Sequence, residues 1–252
     1  MSPSDASSHI DDAPFASNLL RALRPNDYAL LSPHLEFTER QAGELLYKPG
    51  DNVGTVYFPG GPSLASLLVT NADGNDVETI LIGREGAVGG IVSSGHLPAY
   101  CRVVVKFGGP FGLMPVTQLE AAKRQSPSLR SLFARYADCL LAQVFQSTAC
   151  NAIHSIEQRT AKWILSAMDR TGDHLVPLTH DELASMLGVG RSYTSRVIQV
   201  FKADGVLETR RGALLVRDRD ALLARSCLCN ESVKAHFDDV LRGVYPDGEE
   251  SS

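Results

Sequence analysis

No run in the 252-residue sequence approaches the roughly 20 consecutive apolar positions that a membrane-crossing helix needs. A basic flank followed by an apolar core is also missing from the start, so no secretory signal is expected and the cytoplasm is the expected location. Cysteine is sparse. The five present are Cys101, Cys139, Cys150, Cys227 and Cys229, an odd number in a chain of this size, which argues for reduced thiols over a disulfide framework. The glycine-rich stretch Gly83–Gly90 lacks the lysine and hydroxyl of a phosphate-binding P-loop. No motif groups a serine, histidine and acid for nucleophilic work. No catalytic residue is assigned, and the chain is not expected to be an enzyme. A cupin-like metal barrel would need clustered His and Glu on strands, and His96 stands nearly alone in the strand-rich region.

Metal donors receive a similar reading. Cys150 and His154 are four apart, and Cys227-Leu228-Cys229 is a C-x-C. Two thiolates and an imidazole suit zinc, but the regular four-ligand spacing of a structural site is missing. The expectation is buried structural cysteines, with no metal and no cofactor.

The net charge of −5 argues at first against a nucleic-acid partner. Its distribution is more informative. Residues 151–225 hold 11 Lys/Arg and 9 Asp/Glu, a surplus of two, whereas the rest holds 13 and 20. Coulomb interactions are screened beyond about 8–10 Å at ordinary salt, so a local arginine cluster still serves phosphate.

Along the chain, residues 1–14 are polar, acidic and proline-containing, and read as a disordered tail. Residues 15–32 have helical spacing, with a break at Pro25-Asn26-Asp27. From Leu35 to Met114, short apolar runs alternate with Gly, Pro, Asn and Asp. Leu45–Tyr47, Val56–Phe58, Leu64–Val69, Val77–Ile82 and Val103–Val105 predict the strands of a β-barrel or β-roll, and Gly108-Gly109-Pro110 reads as a turn. Residues 116–150 read as a long helix. Around Ala137–Phe145 its apolar residues cover more than one face, so a second covering surface is required. The residues alone leave open whether that surface is a twin helix or more of the same chain. A second amphipathic helix is expected over 154–170.

Thr179 to Lys202 carries the most information. Thr179-His180-Asp181-Glu182 predicts a capping box. Leu183, Ala184 and Leu187 face a core, and Gly188 ends the helix. A second helix starts at Arg191. Its Thr194, Val197, Ile198 and Phe201 form one apolar stripe, while Ser192, Ser195, Arg196 and Gln199 fall opposite. Those are side chains that hydrogen-bond to bases and phosphates. After Gly205, two short runs joined by Arg210-Arg211-Gly212 predict a hairpin with a basic tip. Candidate DNA-binding residues are therefore Arg191, Ser192, Ser195, Arg196, Gln199, Arg210 and Arg211.

A short-strand β-roll, a long helix and a winged helix, in that order, resemble the bacterial cyclic-AMP receptor protein/FNR regulators over about residues 19–225. The segment LTHDELASMLGVGRSYTSRVIQVFKADGVLETRRGALLVRD, residues 178–218, carries the resemblance, and Leu46-Tyr47-Lys48-Pro49-Gly50-Asp51 looks like the family's early β-roll turn. The resemblance implies an α+β fold. Residues 15–115 form a cyclic-nucleotide-binding-like β-roll, 116–150 a dimerisation helix, 151–225 a winged helix-turn-helix, and 226–252 a C-terminal extension. It favours the twin helix, hence a homodimer on double-stranded DNA with RNA polymerase as a further partner. It also implies that Arg191 and Arg196 read guanines and backbone, with Thr179 and His180 on backbone. Ser192 stands where many members carry a base-reading glutamate.

The sensory half departs more. Members that bind cyclic AMP hold its phosphate with a Gly-Glu turn and an Arg-Ser pair. The corresponding turn here is Gly83–Gly90, with no Arg-Ser after it. Arg84, Gly89, Gly90 and Arg102 are the candidate effector-pocket residues, but Arg84 and Arg102 read rather as surface charges, and cyclic AMP is not the expected effector. No cysteine precedes Cys101, so the iron–sulfur cluster of some members is not expected. His96 and His154, the histidines open to a haem, read as structural or solvent-facing. The competing function is a small-molecule sensor acting through a protein partner instead of DNA.

Overall fold

The computed structural model describes residues 17–70, 72, 74, 76–92 and 95–245. The expected tail at 1–14 lies outside them. Two short helices, α1 (Asn18–Arg21) and α2 (Pro25–Leu31), come first. Pro25 starts α2 instead of interrupting a helix, because the first helical position has no use for an N–H. Seven strands follow: β1 (Glu36–Arg40), β2 (Leu45–Tyr47), β3 (Thr55–Pro59), β4 (Leu64–Thr70), β5 (Asp76–Ile82), β6 (Arg102–Phe107) and β7 (Gly109–Pro115). They pair antiparallel into two sheets, ordered β1-β7-β3 and β2-β6-β4-β5. All five predicted runs are strands. β1 and β7 went unpredicted, and Gly109-Pro110, read as a turn, opens β7.

The expected helix over 116–150 is two helices, α3 (Val116–Gln125) and α4 (Pro127–Ile153). The break has a local cause. Proline disfavours helical geometry in the residue before it, and Ser126 is extended at φ −122°. Ser126 then caps α4 by accepting from the Leu129 amide at 3.1 Å. Asp27 of α2 accepts from the Ser126 and Ser128 hydroxyls, which seats the start of α4 against the N-terminal helices.

One face of α4 enters the β-roll core through Leu129, Phe133, Tyr136 and Cys139. The Tyr136 hydroxyl donates to the Ala87 carbonyl at 3.1 Å and accepts from the Ala87 amide at 2.9 Å. Gly86 makes room for it, since a Cβ there would fall 2.2 Å from that oxygen.

After α4 come α5 (Ile156–Thr171), β8 (Leu175–Val176), α6 (His180–Leu187), α7 (Arg191–Ala203), β9 (Leu207–Arg210), β10 (Ala213–Val216), α8 (Arg219–Arg225) and α9 (Cys229–Val240). The last three strands form a sheet ordered β8-β10-β9. Trp163, Ile164, Leu183, Leu187, Ile198, Phe201 and Leu214 build a second core, and Leu64, Leu81 and Phe107 of the β-roll join it. The two halves thus share apolar packing. α9 turns back onto the first core through Val233 and Phe237.

Among the described residues, no helix is long and apolar enough to cross a membrane.

Candidate nucleic-acid interface

The capping box predicted at Thr179 is present. Its hydroxyl accepts from the Glu182 amide at 3.2 Å, and the Glu182 carboxylate takes the Thr179 amide at 2.8 Å. Acidic Asp181 and Glu182 in the first turn of α6 suit the positive end of its dipole. Gly188 ends α6 in the left-handed region at φ 66°, where only glycine is at ease. Gly190 then caps α7, with Arg191 as its first residue.

α7 is clearly two-faced. Thr194, Ile198 and Phe201 are buried. Arg191, Ser192, Arg196 and Gln199 are exposed, and Ser195 is half-buried. Beside them lies Tyr193, which the sequence reading missed. It is 44% exposed, and the Arg196 guanidinium stacks over its ring at 5.1 Å. A tyrosine preceding the buried Thr194 carried a signal of its own: a large ring on the polar face of an amphipathic helix.

The first turn of α6, the start of α7 and the β9–β10 hairpin enclose a groove of about 320 Å³, lined by Thr179, His180, Arg191 and Arg210 among others. Four predicted residues from three elements therefore converge on one concave surface. His180 Nδ1 lies 3.0 Å from the Ser195 hydroxyl, joining α6 to α7. Burial, then the neighbouring Arg191 and Lys202 cations, hold the His180 imidazole below its ordinary range, with Asp181 opposing. Arg191 pairs with Asp181 at 3.3 Å, and Arg210 with Glu208 at 2.8 Å, both on the surface. Such pairs are worth about 0–1 kcal/mol, so a phosphate competes for these arginines at little cost. Gly212, at φ 71°, lets the hairpin turn directly after Arg211.

The candidate effector residues do not converge. Arg102 opens β6, opposite Leu68, and pairs with Asp76 at 2.9 Å. Arg84 lies two residues beyond the other end of β5. Six strand steps separate those ends, about 20 Å. Arg84 is also buried, not the surface charge expected. Gly89 abuts Tyr47, and Gly90 abuts Val116. The acid of the same turn, Glu85, engages Arg170 through one carboxylate oxygen. It accepts from Arg170 of α5 at 2.9 Å and from the Gly83 amide at 3.1 Å. Both charged groups of that pair are buried.

A capped helix, a glycine turn, a second helix with a polar outer face and a basic hairpin make a winged helix-turn-helix. The match to known proteins agrees. Residues 158–225 match the family model described as a Crp-like helix-turn-helix domain. Several solved structures share the fold. FixK2 from Bradyrhizobium japonicum superposes with a TM-score of 0.66 at 16% identity, over 77% of this chain and 98% of that one. The c-di-GMP responsive global regulator CLP of Xanthomonas campestris gives 0.61 at 15% identity, over 77% and 100%. A CRP/FNR-family transcriptional regulator of Thermus thermophilus gives 0.61 at 20% identity, over 78% and 98%. Among curated proteins compared by sequence, none matches. Residues 158–225 are thus similar to a Crp-like helix-turn-helix domain, and the chain shares the fold of solved regulators of the CRP/FNR family.

Proposed function

We propose that the protein acts as a homodimer on a pseudo-palindromic operator, with α7 of each subunit in the major groove of one half-site. The observation that carries this is the exposed face of α7, with Arg196 one turn beyond Ser192 and Gln199 a further turn on. Arg196 reads a guanine edge. Arg191, Thr179, His180 and the hairpin arginines Arg210 and Arg211 hold the backbone. Ser192 selects its base weakly, because a hydroxyl discriminates less than a carboxylate accepting from cytosine.

The dimer contact is the outer face of α4. Leu141, Val144 and Phe145 are exposed there, Phe145 at 64%, and Thr148 and Ala152 continue the stripe at spacings of three and four. A second copy of the same helix covers such a stripe symmetrically. It also sets the two copies of α7 about one helical turn of DNA apart, roughly 34–36 Å.

The β-roll does not take cyclic AMP on this reading. Support comes from Glu85, whose carboxylate is held by Arg170, and from the wide separation of Arg84 and Arg102. RNA polymerase is the partner downstream of operator binding.

A random-oligonucleotide selection with wild type and Arg196→Ala tests the proposal. Enrichment of an inverted repeat by the wild type, weakened in the variant, supports it. Binding that is blind to sequence at every salt concentration removes it.

A further inference from the structure

Four metal-capable donors meet in a cluster that has no residue in common with the groove. Cys150 is on the last turn of α4, and His154 follows its end. Cys227 lies in the link from α8 to α9, and Cys229 opens α9. The sequence offers them as two distant pairs. The fold brings all four donor atoms within 4.8 Å of one another. Cys150 Sγ is 3.6 Å from Cys227 Sγ, and Cys229 Sγ is 3.5 Å from His154 Nδ1.

The two short separations, 3.6 and 3.5 Å, match the edges of one coordination shell, and the set as a whole closes on it with small side-chain shifts. Zinc bonds sulfur at about 2.3 Å and imidazole nitrogen at about 2.0 Å, so the edges of its tetrahedron are about 3.5–3.8 Å long. Three cysteines and one histidine are a recurrent donor set for a closed, structural zinc site. A disulfide between Cys150 and Cys227 would explain two of the four residues and leave Cys229 and His154 idle.

The surroundings suit an ion as well. The Gln146 side-chain amide donates to Cys229 Sγ at 3.1 Å, the kind of outer hydrogen bond that orients a thiolate ligand. Lys162, almost wholly buried on α5, has its ammonium within electrostatic reach of all three sulfurs and 4.1 Å over the Trp163 ring. Three thiolates and a divalent cation sum to one negative charge, and the lysine offsets it. A buried lysine needs such a counter-charge.

We propose that Cys150, His154, Cys227 and Cys229 bind one zinc ion per chain. Binding displaces the three thiol protons to solvent and leaves the imidazole neutral, bonded through Nδ1. The ion ties the end of α4 to the start of α9 and fixes the junction where α4 passes into α5. This assignment is independent of the DNA-binding reading, and its test does not involve DNA.

The test is metal content of the full-length protein, purified under reducing conditions without chelator. About one zinc per chain is expected for wild type and for Cys101→Ser, whose thiol is outside the cluster, and below about a tenth for Cys227→Ser and His154→Ala. Because loss of the metal can unfold those two variants, cobalt substitution of the wild type supplies a second reading. Thiolate-to-metal charge transfer together with the intense visible bands of a tetrahedral site is expected. The proposal is overturned if fully reduced wild type takes up neither zinc nor cobalt. It is also overturned if Cys101→Ser loses the metal as completely as Cys227→Ser.

Discussion

Thr179 closes the first turn of α6 with its hydroxyl and its amide together, and Glu182 answers both. Thr179→Ala should cost about 1 kcal/mol, seen as a fall of about 2–4 °C in Tm by calorimetry. Arg196 carries a different load. Arg196→Ala should lose about 1–3 kcal/mol of discrimination at one base pair, some 5- to 150-fold, in competition binding against single-base operator variants. Arg211 at the hairpin tip contacts phosphate on the present reading, so Arg211→Ala should weaken all sequences alike and reduce the salt slope by about one. His180 gives the pH dependence a definite sign. Its imidazole titrates lower when folded than the ordinary 6.5, so the unfolded chain binds the extra proton. The stability it contributes is present above about 6.5 and is lost as pH falls through the folded-state value. Urea midpoints at pH 7 and pH 5 should therefore differ less for His180→Gln than for wild type. These residues were legible in sequence because a capping box and a stripe at i, i+3, i+4 and i+7 are local patterns. The meeting of Cys150 and His154 with Cys227 and Cys229 was not, because Cys150 and Cys227 are 77 positions apart.

At the scale of elements, α4 is the one whose apolar content exceeds what its own chain covers. On the homodimer proposed above, Phe145→Glu should convert dimer to monomer in sedimentation while leaving the circular dichroism of the helices in place. Legibility varied with how much of an element's surface faces a core. β4, β5 and β6 each carry three consecutive apolar residues, at 67–69, 80–82 and 103–105, and were plain. β1 reads Glu-Phe-Thr-Glu-Arg, with four exposed positions and one half-buried, so it had no apolar face to announce it. Its pairing with β7, from Glu36 opposite Leu113 to Arg40 opposite Gly109, is a backbone affair. β7 begins with glycine and proline, residues that ordinarily mark turns. Here Gly109 adopts φ 146°, and the Pro110 carbonyl accepts from the Gly60 amide and the Ser63 hydroxyl. The split of α3 from α4 was written in Ser126-Pro127, but apolar periodicity runs through that point undisturbed and hid it.

Over the whole molecule, beside their shared apolar packing, two ion contacts of unlike strength among the described residues join the helix-turn-helix half to the β-roll. Arg170 and Glu85 make a buried pair, with Tyr245 of the C-terminal segment beneath the guanidinium at 4.9 Å. Removing one partner strands the other charge, so Glu85→Ala should destabilise by about 3–5 kcal/mol in chemical denaturation. The second contact is looser. Lys106 of β6 lies 3.4 Å from buried Glu78 and 3.8 Å from Glu182 of α6. The carboxylate that Lys106 reaches is the one that closes the first turn of α6. A strand displacement that draws Lys106 away therefore needs no swing of the domain to be felt at the groove. It changes how often the first turn of α6 opens, and the signal travels as a change in local breathing, with amide hydrogen exchange at Thr179 and Glu182 as its clock.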